Sequence, residues 1–239
     1  MAKQRLQKVL AAAGVASRRK CEQLILDGAV QVNRKLVDTL PAFADPEKDI
    51  ITVNGKKIQP ERKVYFLLNK PKGVICSNFD PQGRKKAIDL VPASERIFCV
   101  GRLDADSTGI IILTNDSELT NRLTHPKYRV PETYLVRVKG QIGGEAVEKL
   151  KKGVWLAEGK TAGASIKVLR RSHKESLIEI TIGQGLNRQI RRMLSKVGLS
   201  VKSLTRTQIG KLTTRGLGVG KFRVLTRAEV AYLKRTTTS

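Results

Sequence analysis

The feature that most constrains this chain is a short unbroken apolar run, Ile110-Ile111-Ile112-Leu113. It is entered through a polar segment framed by glycines, Gly101-Arg102-Leu103-Asp104-Ala105-Asp106-Ser107-Thr108-Gly109. Such a run reads as a buried strand, although periodicity alone fits a stretch of buried helix as well. Glycine turns without steric penalty, so the polar segment reads as a loop held between two core strands, with Asp104 on it. A carboxylate placed there is fixed by its scaffold yet open to a ligand, which suits catalysis. On composition and spacing alone, the same residue reads as a turn aspartate bonded to its own backbone, the commoner use of a loop aspartate.

Charge narrows what the chain meets. Lys and Arg number 46 against 21 Asp and Glu, a formal net charge of +25. An excess of that size points to a polyanion, either nucleic acid or an anionic membrane surface. No apolar stretch is long enough to span a membrane. No basic amphipathic helix with bulky apolar residues offers itself to a membrane surface. The stretch Met1 to Gln7 is polar and lacks a secretory core. Cys21, Cys76 and Cys99 are odd in number and far apart, forming neither a disulfide framework nor a metal-spacing motif. The expectation is a cytoplasmic, nucleic-acid-binding protein with no membrane association and no metal; His125 and His173 are isolated and read as surface residues, or as residues standing behind a site, rather than as metal ligands. Aromatic residues make up only 4%, which argues for recognition through phosphate and shape over a broad stacking platform.

Pattern divides the chain into residues 1–62 and 63–239, with a polar, basic linker over about 54–63. In the first module, Leu6, Val9, Leu10 and Ala13 recur at helical spacing before Gly14, and Ser17 caps a second helix that ends at Gly28. Arg18, Arg19 and Lys20 lie in the first turn of that helix, where cations oppose the helix dipole; phosphate binding would compensate. Alternation over 29–33 and an Asn54-Gly55 pair predict hairpin strands. The second module reads as many short strands with few helices between them, which favours antiparallel pairing. Ile190, Met193, Leu194 and Val197 predict a helix, capped by Asn187 and stopped by Gly198, that stacks Arg188, Arg191 and Arg192 on its polar side. Like charges at that spacing repel unless an anion joins them. Thr226 caps a last helix over 227–233, and 234–239 is expected to carry no regular structure. The fold class is therefore α+β: a small helix-rich module, then a larger domain built on a mainly antiparallel β-sheet.

Two resemblances sharpen this reading. Gln4 to Leu10, through Ser17-Arg18-Arg19, to Gly28–Asn33 resembles the RNA-binding module first recognised in ribosomal protein S-four. Gly101-Arg102-Leu103-Asp104, then Thr108-Gly109, four aliphatics and Thr114-Asn115-Asp116, resembles the signature of pseudouridine synthases of the RsuA, RluB, RluE and RluF type. Leu68 to Gly73, Glu132 to Val136, Gly183 to Leu194 and Leu204 to Gly210 extend it. The resemblance implies that the chain isomerises specific uridines of ribosomal RNA to pseudouridine, most nearly in the 23S molecule. The reaction has no net redox change, so no cofactor is required. It implies Asp104 as the catalytic carboxylate, Arg191 as its partner, and Tyr134 against the target base near the proton to be moved. Arg102 would fill the space vacated by a flipped-out nucleotide, Ile209 would form a wall beneath the base, and Arg188 and Arg192 would touch RNA. The expected partner is ribosomal RNA, free or in a pre-ribosomal particle, met by a monomer. The alternatives are a non-catalytic RNA-binding assembly factor, a 16S-specific synthase, and a magnesium enzyme using Asp104 and Asp106 as an Asp-x-Asp pair.

Overall fold

The structure, a computed structural model, describes residues 3–237 and divides into two compact units. The first runs to Val64 and takes in 93–96 and 115–117; the second holds 65–92, 97–114 and 118 onward.

In the first unit, helix α1 (Leu6–Ala12) and helix α2 (Arg18–Leu26) pack over a four-stranded sheet. Leu6, Leu10, Cys21, Ile25 and Val30 are fully buried between them. The Ser17 hydroxyl accepts from the Lys20 amide at 3.3 Å and caps α2. Both sheet turns have two left-handed residues, Asn33 and Arg34 in one, Asn54 and Gly55 in the other, as a two-residue turn between right-twisted strands requires. Residues 54–63 are not plain linker. Lys56–Lys57 pairs with Thr52 and Val53 as an edge strand. Asn115 ties down the end of the segment. Its Nδ2 donates to the Arg62 carbonyl at 2.7 Å and to Glu61 at 3.0 Å, and its Oδ1 accepts from the Val64 amide at 3.0 Å.

The second unit is built on a nine-stranded sheet. Its main path runs from strand Ser165–Arg171 through Glu175–Ile182, Glu132–Lys139, Val201–Ile209, Thr108–Thr114 and Tyr65–Lys70 to Phe222–Val224. Every neighbouring pair on this path is antiparallel except Val201–Ile209 with Thr108–Thr114. The aliphatic run that stood out in the sequence lies on an interior strand of this sheet: Ile110, Ile111 and Leu113 are wholly buried. Leu119 of helix α3 (Ser117–Thr124) and Leu233 of helix α6 (Arg227–Thr236) join Leu67, Ile110 and Ile112 in the core. Helix α4 (Gly144–Lys152) buries Val147 and Leu150. Helix α5 (Gln189–Lys196) buries Ile190, Met193 and Leu194, as their spacing predicts.

The parallel junction is where the polar loop enters the sheet. Thr108 lies opposite Thr205, and Gly109 opposite Arg206. A Cβ on Gly109 would sit 2.1 Å from the Arg206 carbonyl oxygen, and its φ is +108°. Only glycine permits so close an approach of two backbones. One expectation is corrected at the C-terminus. Helix α6 continues past Leu233 to Thr236, and Thr237 is buried with its hydroxyl donating to the Leu233 carbonyl at 3.1 Å. Leu233 at its centre is wholly buried, so the helix has core contacts to extend it. Residues 238 and 239 lie outside the described residues.

Candidate active site

The loop carrying Asp104 is fastened on several sides within the second unit. The Ser107 amide donates to the Asp104 carbonyl at 3.1 Å and closes a turn. The Lys70-Pro71-Lys72-Gly73 segment lies alongside: the Gly73 amide donates to the Ala105 carbonyl at 2.7 Å. Lys70 is fully buried, and its ammonium donates to the Val74 carbonyl at 2.8 Å and the Pro71 carbonyl at 3.0 Å. Burial lowers the Lys70 pKa, a shift opposed by Cys76, Asp106 and Asp104. A charge taken out of water is tolerated when it is bonded in this way. The Leu103 amide donates to the Cys76 sulfur at 3.4 Å. Cys76 is held well below the ordinary thiol value by a hydrogen bond from Cys99, with burial opposing and the Leu103 amide assisting.

The Asp104 side chain does not turn back on its own backbone. Arg188 Nη1 donates to its Oδ2 at 2.9 Å, and Arg191 Nε stands 3.9 Å from the same oxygen. Arg191 reaches Asp106 at 3.0 Å and donates to the Ser107 hydroxyl at 3.3 Å. Arg188 also lies 3.6 Å from Asp106. The closer partner of Asp104 is thus Arg188; Arg191, the expected partner, sits mainly between Asp106 and Ser107. The residue before α5 makes this possible. Arg188 adopts a left-handed backbone, φ 47°, at the helix N-terminus, and Asn187 does not cap the helix. A bulky residue held with positive φ is uncommon and marks a position fixed by its surroundings. The anion that the three stacked arginines call for is supplied from within the chain: Asp104 and Asp106 serve Arg188 and Arg191, and Glu158 pairs with Arg192.

A cleft of about 320 Å³ opens over this group. Its walls include Arg102, Asp104, Leu123, His125, Tyr134, Ile182, Leu204 and Arg206. That volume lies in the range of small-ligand sites. Tyr134 and Arg206 stand opposite each other on adjacent strands, next to a break in register after Thr133 that shifts the partner strand by one residue. Such bulges re-aim side chains beside active sites. The Tyr134 hydroxyl donates to Glu132 Oε2 at 2.5 Å, and Arg206 Nη1 donates to Glu132 Oε1 at 2.8 Å. Burial pushes the Tyr134 phenol far up, with Arg206 opposing. Burial would lower the Arg206 guanidinium, but Glu132 and Tyr134 outweigh it and raise the value.

Residues 64–196, which hold Asp104, Tyr134, Arg188 and Arg191, match the family described as RNA pseudouridylate synthase. Residues 4–40 match the S4 domain. The chain is 47% identical over 234 residues, 97% of its length and 96% of the other's, to the ribosomal large subunit pseudouridine synthase B of Bacillus subtilis. The chain belongs to the RNA pseudouridylate synthase family. It is accordingly an isomerase that converts uridine to pseudouridine. It is also 42% identical over 231 residues, 96% of this chain and 93% of the other, to an uncharacterised RNA pseudouridine synthase of Aquifex aeolicus. A crystal structure of a pseudouridylate synthase superposes with a TM-score of 0.71 at 28% identity, covering 96% of this chain and 99% of that one.

Among the residues expected at the synthase site, Asp104, Arg188, Tyr134 and Arg102 line one cleft, with Arg191 against the loop behind it. Ile209 is not part of that wall. It pairs with Leu212 across a tight hairpin and is buried in the core with Leu225 and Leu233, and Leu204 lines the cleft in its stead. An aliphatic side chain at that hairpin gains more by burial among other aliphatics than beside a polar cleft. Arg192 is engaged by Glu158 and the Asn187 carbonyl. Arg18, Arg19 and Lys20 are exposed on α2 in the first unit, with no acidic residue in that first turn.

Lys70, Glu132 and Arg206 escaped the reading of the sequence, and Asp106, read there only as half of an Asp-x-Asp metal pair, is an ion-pair partner of Arg191 and Arg188. A cue for Glu132 exists, since it lies two residues before Tyr134 on a strand and shares its face. For Arg206 the cue is a charge two residues after Leu204 in an otherwise inward-facing pattern. A charge at such a position asks for a buried partner.

Proposed function

We propose that the chain isomerises specific uridines of ribosomal RNA, those of the 23S molecule of the large subunit, to pseudouridine. It does so in the cytoplasm, as a monomer, on free rRNA or a pre-ribosomal particle. The observation that carries this reading is Asp104 at the edge of the cleft, held at 2.9 Å by Arg188. The reaction exchanges a carbon–nitrogen glycosidic bond for a carbon–carbon bond. Asp104 supplies the carboxylate that breaks the first bond, as nucleophile or by stabilising the intermediate. Arg188 and Arg191 hold it in one orientation. The uridine leaves its stack to reach Asp104, at a cost of a few kcal/mol; Arg102, exposed on the same loop, fills the gap. Tyr134 stacks on the base beside the C5 proton. The basic α2 turn and the +25 net charge of the chain hold the RNA backbone.

The name of the Bacillus subtilis relative supports the large subunit as the target. Mapping pseudouridine across 23S and 16S rRNA from cells lacking the gene, with and without a re-expressed copy, tests the assignment. The expected result is loss of at least one 23S site, restored by the copy. An unchanged 23S pattern would overturn it.

A further inference from the structure

Removing the C5 proton of the rearranged base needs an acceptor, and a buried phenol is a poor one by itself. Burial holds the Tyr134 phenol in its neutral form, so it accepts a proton only as it gives its own away. The structure holds a recipient. Glu132 Oε2 takes the Tyr134 hydroxyl at 2.5 Å, and its other oxygen is bound at 2.8 Å by Arg206. The Arg206 side chain is 2% exposed, whereas that of Glu132 is 27% exposed and can reach solvent. Arg206 is fixed by a second bond as well, since its Nε donates to the Ile110 carbonyl at 2.8 Å in the neighbouring strand. A guanidinium anchored in the core of the sheet therefore aims one carboxylate at one phenol, on the wall of the cleft that Asp104 enters.

We infer that Tyr134, Glu132 and Arg206 form a proton relay in which Glu132 is the terminal acceptor of the C5 proton. The inference rests on the proposed place of Tyr134 beside the base. Once C5 has bonded to the sugar carbon, it carries both that bond and its hydrogen. The C5–H electron pair returns to the ring as the double bond, and the proton passes to the Tyr134 oxygen. The phenol's own proton moves in the same event to Glu132 Oε2. Atoms and charge balance when N1, freed of the sugar, takes up one proton; Glu132 returns its proton to the partly exposed side of the cleft. No oxidant or reductant takes part. Arg206 is a positioning residue: by donating to Oε1 it holds the other oxygen of Glu132 against the Tyr134 hydroxyl.

Full-length protein carrying Glu132→Gln, Glu132→Asp or Tyr134→Phe, assayed on rRNA fragments with protium or deuterium at C5 of uridine, tests the relay. Glu132→Asp keeps a negative charge against Arg206 and so keeps the fold, but withdraws the carboxylate from the phenol. For both Glu132 variants the expected result is an unchanged KM, a kcat lower by roughly 10²-fold for Gln and less for Asp, and a larger C5 isotope effect. A Glu132→Asp protein with unchanged kcat and isotope effect, beside an inactive Tyr134→Phe, would overturn the relay and leave Tyr134 in its role. Full turnover by Tyr134→Phe would overturn the reading of Tyr134 itself. A change in KM or stability with no change in isotope effect would make Glu132 a structural residue and refute the relay.

Discussion

Gly109→Ala tests whether the sheet positions the chemistry. The added methyl would lie 2.1 Å from the Arg206 carbonyl oxygen and 2.5 Å from its nitrogen. Neither atom belongs to a flexible side chain, so the strands Thr108–Thr114 and Val201–Ile209 must part. Overpacking of this kind costs roughly 1–3 kcal/mol. Placing alanine at positive φ adds about 1–2 kcal/mol. The sum, about 2–5 kcal/mol, corresponds to a fall of roughly 4–20 °C in the melting temperature of a domain this size. Activity should fall further than stability, because the displaced Arg206 holds Glu132 and the displaced Thr108 ends the Asp104 loop. Differential scanning calorimetry of the full chain, with turnover measured well below the transition, reads both. Gly144→Ala is the control: its Cβ meets nothing within 4 Å, and it begins helix α4. An unchanged melting temperature and normal turnover for Gly109→Ala would refute the claim that close approach at the parallel junction sets the site.

The charged groups carry the other expectations. Arg188 is 45% exposed, so Arg188→Ala should cut turnover while changing stability by less than about 1 kcal/mol. Arg191 is 13% exposed and serves Asp106 and Ser107 as well, so Arg191→Ala should lower both turnover and melting temperature; thermal denaturation beside tritium release separates the two. The Arg223 guanidinium holds Glu229 below the ordinary glutamate range. A depressed carboxylate contributes stability that is full above its unfolded value and is lost as pH falls through the folded one. The stability difference between wild type and Arg223→Ala should therefore shrink as pH drops from neutral through the acid range, and a difference that grows would contradict the pairing. Cys76 should be alkylated before Cys21 at neutral pH by peptide mapping, because Cys99 lowers the Cys76 thiol whereas burial raises that of Cys21. Faster labelling of Cys21 would contradict that order.

Much of the fold was legible because hydrophobic pattern and turn chemistry agree locally. Leu6 to Ala13, Ser17, Gly28, Asn54-Gly55 and the aliphatic run before Thr114 each mark an element that the structure contains. A buried interior strand was legible from Ile110 to Leu113, since an unbroken aliphatic stretch belongs in the core and this one is short and entered through glycine. The ends were less so. Residues 234–236 read as tail because their packing depends on Leu233 and the sheet, which no local pattern displays. Asp104 was legible from its glycine-framed loop together with a resemblance. Its nearest partner was not, because Arg188, Arg191 and Arg192 are equivalent by spacing, and only the left-handed backbone at Arg188 separates them. Glu132 and Arg206 were hidden for a similar reason: cross-strand pairing and the register break after Thr133 bring them together across more than seventy positions.

Whether the carboxylate at position 104 performs the chemistry is decided by the turnover of Asp104→Asn. Asparagine keeps the size of the side chain and its place beside Arg188 but removes the carboxylate. Tritium release from rRNA labelled at C5 of uridine, measured beside RNA affinity at several salt concentrations, gives the answer. RNA binding close to wild type with no detectable release is the expected result. Appreciable release by Asp104→Asn would show that the bond is broken without Asp104.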